Sequence, residues 1–235
     1  MGGRFMNKLI RLELQKFRFG TYIRTAIYIT IGIFLFIMLG IYGADAGDKA
    51  FKGVSDVFNL IDTFVKIAFI ITASALLSRM VIDEFKSKSI TVMFMYPIPR
   101  KRMITAKLII VVLYTFISMI LSNIVLMCGF LLYNSYAHTV AGTATIGVLT
   151  HHVASSVISA LAASCLSLIP LWFGMRKYSS VATITSSILI AAILCSNNGG
   201  MTLWSILAVP FAFAVIGVGI AYLTICKIDT IDLYK

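Results

Sequence analysis

Asn59, Asp62 and Lys66 stand at i, i+3 and i+7 within one apolar run. Asp62 precedes Lys66 by four residues, the acid-first order that favours pairing on a helix face. A lone ammonium at the centre of a bilayer costs about 2.5–3.5 kcal/mol on insertion scales, so Lys66 needs a partner or water. The trio reads either as an ion pair anchoring a helix end or as a polar gate or substrate contact at an outer mouth. Asn123, in the next apolar run, reads as an interhelical hydrogen-bonding group or as a substrate ligand. His138, His151 and His152 fall between apolar runs without a carboxylate or thiol beside them, which points to an exposed loop and to no metal site. Cys128, Cys165, Cys195 and Cys226 lie in or at the ends of apolar runs with no CxxC spacing, and read as buried packing residues. No HExxH pair occurs, and the serines sit among small residues without a base at hand, so no catalytic residue is assigned.

These groups are carried by elements built for lipid. Sixty per cent of the residues are hydrophobic and 12% charged, against roughly 45–50% and 25% in soluble domains. About 20 apolar residues cross a bilayer core of about 30 Å. Runs of that kind cover approximately 22–42, 57–80, 104–133, 152–175, 179–196 and 202–226, which predicts an all-α integral membrane protein with six transmembrane helices and no separate soluble domain. The basic region reaches Arg24 and the first run is too long for a signal sequence, so it reads as a span. The net charge of +11 is confined to patches between runs, and so reports topology rather than nucleic-acid binding. All Lys and Arg except Lys49, Lys52 and Lys66 fall on one side of an alternating path. By the positive-inside rule both termini face the cytoplasm, in a multi-pass protein of the cell membrane.

Ser155, Ser159, Ala163 and Ser167 form a small-residue ridge in the fourth run, as do Ser179, Thr183, Ser187, Ala191 and Cys195 in the fifth. Such ridges let helix backbones approach closely, within one chain, at a subunit interface or along a pathway. Pro170 and Pro210 are candidate kinks in the fourth and sixth runs. Phe51, Val54, Phe58, Ile61 and Val65 recur at helical spacing, extending the second helix outward. Ser196 to Gly200 reads as a tight turn.

The long cytoplasmic connection has an order of its own. Ile90, Met93 and Phe94 share a face, so an amphipathic helix begins near Ser87, and Pro97 ends it because the residue before proline disfavours helix. Near the N-terminus, over about residues 5–20, Ile10, Leu14 and Phe17 lie beside Lys8, Arg11, Gln15 and Arg18, the pattern of a helix lying on the membrane surface.

Glu84, Ser89-Ile90-Thr91, Pro97-Ile98-Pro99-Arg100 and Lys107 follow the order and approximate spacing of the ABC-2 family of ABC transporter permeases, which this sequence resembles over essentially its whole length. The resemblance implies that the N-terminal amphipathic stretch is an elbow helix. It further implies that the segment around 84–96 is a coupling helix, docking on a cytoplasmic ATPase through Glu84, Ser87, Lys88, Ser89, Ile90, Thr91, Met93, Phe94, Pro97 and Arg100. Many family members carry short re-entrant helices between the fifth and sixth spans; Ser196 to Met201 is too short for separate ones. No GxxxxGK[ST] phosphate loop is present, so ATP and Mg would be held by a partner chain and this chain carries no cofactor. Two ATPase copies and a second permease chain, identical or different, complete the assembly that the resemblance implies in the lipid bilayer.

The expected function is thus the permease subunit of an ATP-driven exporter. Its cargo would be hydrophobic or amphipathic, such as an antimicrobial peptide, given the apolar lining and the lack of an outer domain. The alternative is a non-transporting immunity or assembly protein that binds a partner through the same cytoplasmic helix.

Overall fold

The computed structural model describes residues 19–44, 53–83, 100–137, 146–177, 179–194, 197–198, 201–202 and 208–227. Seven α-helices among them run in the order α1 (Phe19–Ala44), α2 (Val54–Leu77), α3 (Arg100–Ala137), α4 (Ile146–Leu166), α5 (Ile169–Lys177), α6 (Ser180–Leu194) and α7 (Ala208–Lys227). A π-helical turn, Ser78–Ile82, continues α2. Between α6 and α7 lie the two-residue strands β1 (Asn197–Asn198) and β2 (Met201–Thr202), antiparallel with Asn198 opposite Met201. The two strands pair across the tight turn expected there, a small exception among described residues that are otherwise almost all helical.

Four stretches are long and apolar enough to cross a bilayer: Gly20–Ile41, Val54–Ile82, Met103–Tyr136 and Leu149–Arg176. The fifth and sixth runs form shorter apolar helices, Ser180–Ile193 and Phe211–Thr224. The outer faces carry large apolar side chains that water would not tolerate in such number: Leu39, Leu132 and Val215 are each over 70% exposed. This inverted surface is what a lipid solvent selects, and the chain is a multi-pass membrane protein.

Helix α2 is the hub, packing on α3, α4 and α6, while α7 packs on α4 and α5. The expected extension of α2 is present from Val54: Val54, Phe58, Ile61 and Val65 are all buried, Phe51 lies outside the described residues, and Gly53 in extended conformation (φ −176°, ψ 171°) starts the helix by accepting the Asp56 N–H at 3.1 Å. These residues join Met119, Leu126 and Phe130 of α3 and Ala160, Ala163 and Leu166 of α4 in one apolar core. A second core lies at the other end of α2, where Leu76, Leu77 and Met80 meet Leu108 and Val111 of α3 and Leu171 of α5. Helix α1 touches only the flank of α2 and α3 to any extent and leaves most of its surface outward.

The kink anticipated at Pro170 is present, while several other expectations are corrected. The fourth run breaks at Ser167 and Leu168, because Pro170 has no N–H to offer the Leu166 carbonyl. The chain bridges the break with Leu168 N–H donating to Cys165 at 3.2 Å and Leu171 N–H to Leu168 at 3.1 Å. Pro210 stands in the first turn of α7, where a missing N–H costs nothing, and residues 203–207 before that helix lie outside the described residues. His151 and His152 are not in a loop, because α4 begins at Ile146 and takes them into its first turns; His138 lies outside the described residues. Cys128 is exposed on the outer face of α3 rather than buried. The elbow stretch and the connection from Glu84 to Pro99 lie outside the described residues, apart from the elbow's last positions, which join α1.

The small-residue ridges pack within the chain. Ser159, Ala163 and Ser167 are buried, as are Thr183, Ser187 and Ala191, whereas Ser155 is exposed. Ser187 Oγ lies 2.8 Å from Ser74 Oγ, tying α6 to α2. Where α7 crosses the end of α4, a Cβ on Gly217 would stand 2.3 Å from the Cys165 carbonyl oxygen, so the two backbones are in direct contact.

Candidate functional site

The first polar cluster forms where α2, α3 and α4 meet. Eight residues into α2, about 12 Å along its axis, the Asp62 carboxylate is ion-paired with Lys66, one turn further on. The pairing anticipated from the i, i+4 spacing is present. Asn123 reaches across from α3 and its Nδ2 donates to Asp62 Oδ1 at 3.2 Å. Ser159 of α4 lies 3.5 Å from the same oxygen. Its single proton is better placed for the Ser156 carbonyl at 3.1 Å, so the contact with Asp62 is the weaker of the two. Lys66 is 5% exposed and Asn123 3%. Burial at that level strengthens the pair's attraction while charging a desolvation cost that only good partners offset.

Asn123 Oδ1 is buried and accepts no hydrogen bond. The cluster therefore has more acceptor capacity than its own donors use, and an orphaned buried carbonyl costs about 1–3 kcal/mol. On one side Phe58, a turn before Asp62, stacks edge-on to His152 with ring centres 5.3 Å apart and to Phe130 at 6.0 Å. Asn59 is exposed; its backbone carbonyl accepts from Thr63, and among the described residues its side chain makes no hydrogen bond to this cluster.

A second cluster lies at the far end of α2. The π-helical turn Ser78–Ile82 leaves the regular hydrogen-bond ladder, a feature often found at functional sites. Lys107 of α3, 2% exposed, donates from Nζ to the Met80 carbonyl at 3.1 Å, so a buried cation holds the turn. Asp83, the next residue, accepts from Ser180 Oγ at 2.7 Å and links the turn to the start of α6. Gly174 of α5 fits against Ile82 and Thr183, with room for no Cβ: one would stand 2.3 Å and 2.2 Å from their side chains. Three helices thus converge on the last described residues before Glu84. Lys107→Met should lower stability by about 1–3 kcal/mol, because the Met80 carbonyl loses a charged donor in a dry site; chemical denaturation of the purified chain in detergent reads this directly.

Of the residues singled out from sequence, Asp62, Lys66 and Asn123 come together. Arg100 opens α3, and Glu84, Ser87, Lys88, Ser89, Ile90, Thr91, Met93, Phe94 and Pro97 lie outside the described residues. Sequence reasoning did not find the Asp83–Ser180 link, the π-helical turn or the placement of Ser159 beside Asp62. The only signal for Ser159 was its position in a small-residue ridge, which points to packing equally well. Among the described residues no group of His, Cys, Asp or Glu could hold a metal ion.

Comparison with known proteins adds a family. A model described as "ABC-2 family transporter protein" matches residues 9–193. A relative from Bacillus subtilis (strain 168), named Uncharacterized protein YcbO, is 38% identical over 225 residues, covering 95% of this chain and 99% of the relative's length. No solved structure matches.

Proposed function

The chain belongs to the ABC-2 family of transporter proteins, and from that membership we propose that it is the permease subunit of an ATP-driven exporter. All six apolar helices serve as spans and both termini face the cytoplasm. A separate ATPase, in two copies, binds ATP and Mg and acts on a pair of permease chains. The cargo is a hydrophobic or amphipathic molecule, with antimicrobial peptides the nearest class, so the protein would serve export or self-protection. The observation that carries the reading is the family match over residues 9–193, which covers most of the N-terminal amphipathic stretch, the connection between the second and third runs, four of the six apolar runs in full and nearly all of the fifth.

The π-helical turn gives this reading a mechanical route. Glu84 to Pro97 would dock on the ATPase, and closure of the ATPase pair would pull on Asp83 and the turn. Because Lys107, Ser180 and Gly174 pack on that turn, displacement there passes to α3, α5 and α6 together. Packed elements of this kind move as units rather than deforming continuously.

The test is purification of the tagged chain from gently solubilised native membranes, with identification of co-purifying proteins and assay of vanadate-sensitive ATP hydrolysis. A phosphate-loop ATPase in stoichiometric yield is expected. Glu84→Ala and Arg100→Ala should each leave insertion intact, retain ATP hydrolysis and reduce transport at least about tenfold, a loss of about 1.4 kcal/mol in coupling. Full transport by both variants would remove the coupling role from this segment. A well-folded chain that recovers no ATPase would favour the immunity or assembly alternative.

A further inference from the structure

We infer that the Asp62–Lys66–Asn123 cluster is a binding site for a primary ammonium group on an amphipathic molecule, with the Lys66 side chain occupying it as a tethered surrogate until that group displaces it. The inference rests on the exporter reading for its purpose, since it names the class of cargo, but not for its geometry.

Acceptors converge here from three helices. Asp62 supplies a carboxylate from α2, Asn123 an unpartnered Oδ1 from α3, and Ser159 a hydroxyl from α4. A primary ammonium has three N–H donors and no acceptor, so it is matched by a site rich in acceptors with one negative charge. Lys66 brings the same group on its own stem, but Asn123 Oδ1 is still left without a donor. An incoming ammonium free of the helix backbone could satisfy that oxygen and Asp62 together. The carboxylate is also the more open member of the pair, its side chain 18% exposed against 6% for Lys66, so approach is from the Asp62 side. Phe58, Ile61 and Phe130 form closed core beside it, each 1% exposed or less, so the hydrocarbon portion of such a molecule would stay in the surrounding lipid.

Charge sets the exchange. The ion pair is neutral overall, and replacing one ammonium by another keeps Asp62 compensated throughout. Lys66 then needs water admitted beside the incoming group, since it lies twelve residues, about 18 Å, into α2. A neutral alcohol could bond to Asn123 but could not replace the cation. A quaternary ammonium carries the charge but has no N–H for Asn123.

The experiment uses the full chain reconstituted in lipid nanodiscs, without ATP, and thermal unfolding as the readout, with octylammonium, octyltrimethylammonium and octanol as probes. Octylammonium should stabilise the protein saturably and bind at least about tenfold more tightly than octyltrimethylammonium, because a site with buried acceptors rejects an analogue that lacks the donors. Octanol should give no saturable shift. Asp62→Asn should abolish the octylammonium effect, whereas Lys66→Met should strengthen octylammonium binding by removing the internal competitor. The strengthening separates displacement from a structural role, which predicts only loss. Equal shifts for both ammonium probes, or an undiminished shift in Asp62→Asn, would show simple partitioning into the bundle and overturn the assignment. No shift in well-folded wild type would mean that water meets the Asn123 oxygen, and would overturn it too. The comparison of the two probes on wild type decides the matter even if a variant does not fold. Failure here with an ATPase still recovered from native membranes would leave the exporter reading standing, and recovery of no ATPase with selective ammonium binding would do the reverse.

Discussion

Asp62→Ala should destabilise the protein by about 3–5 kcal/mol, whereas the double variant Asp62→Leu/Lys66→Met should unfold close to wild type or above it. Removing the acid alone takes the Asp62 carboxylate away from a 5%-exposed ammonium and breaks the Asn123 bond at the same time. Removing both charges eliminates the desolvation cost together with the attraction, and apolar side chains of similar volume fill the space. Lys66→Met alone should fall between these, because the carboxylate keeps the Asn123 N–H and is the more open member of the pair, its side chain 18% exposed. Thermal or denaturant unfolding of the four proteins in one detergent gives the order. If the double variant were as unstable as Asp62→Ala, the pair would not be the source of the loss.

Gly217→Ala should cost on the order of 3 kcal/mol, and Gly219→Ala, two residues along the same helix, nothing. A Cβ at 217 would meet the Cys165 carbonyl oxygen at 2.3 Å and its carbon at 2.9 Å, atoms of a neighbouring backbone that no rotamer change can move aside. Helices α4 and α7 would have to separate, losing close contact along their length. At 219 nothing lies within 4 Å of the new methyl, and alanine is the better helix former. Both substitutions add the same atoms to the same helix, so the contrast isolates the packing. Expression level and detergent half-life of the two variants measure it, and similar behaviour would mean that α7 does not sit against α4 at this distance.

The sequence alone determined that this chain lives in lipid. Long apolar runs punctuated by basic patches are a property of composition and order, and they mark where the helices lie, although α4 starts six residues before its run and α7 six residues after. The amphipathic spacing of Val54, Phe58, Ile61 and Val65 was enough to extend α2 beyond its apolar run, since a buried face needs only the helical period. The Asp62–Lys66 pair was legible for the same reason: both residues lie on one helix, and four-residue spacing is local geometry. The order of motif residues from Glu84 to Lys107 pointed to the family that the comparison then established.

Tertiary structure decided whatever depends on a second helix. Proline at 170 and at 210 each stands in the first turn of a helix, where its missing N–H is tolerated, but only the packing of α4 and α5 against α2 and α7 shows that the fourth run resumes as a second helix directly after its break. Ser159 and Ser155 belong to one small-residue ridge, but only Ser159 faces α2, since a four-residue ridge drifts around a helix of 3.6 residues per turn. Asn123 and Lys107 are single polar residues in apolar runs, and nothing in their own segments shows that one meets Asp62 across 61 positions and the other the Met80 carbonyl across 27. Those meetings are set by how α2 and α3 pack, an arrangement in which the side chains of the whole bundle take part.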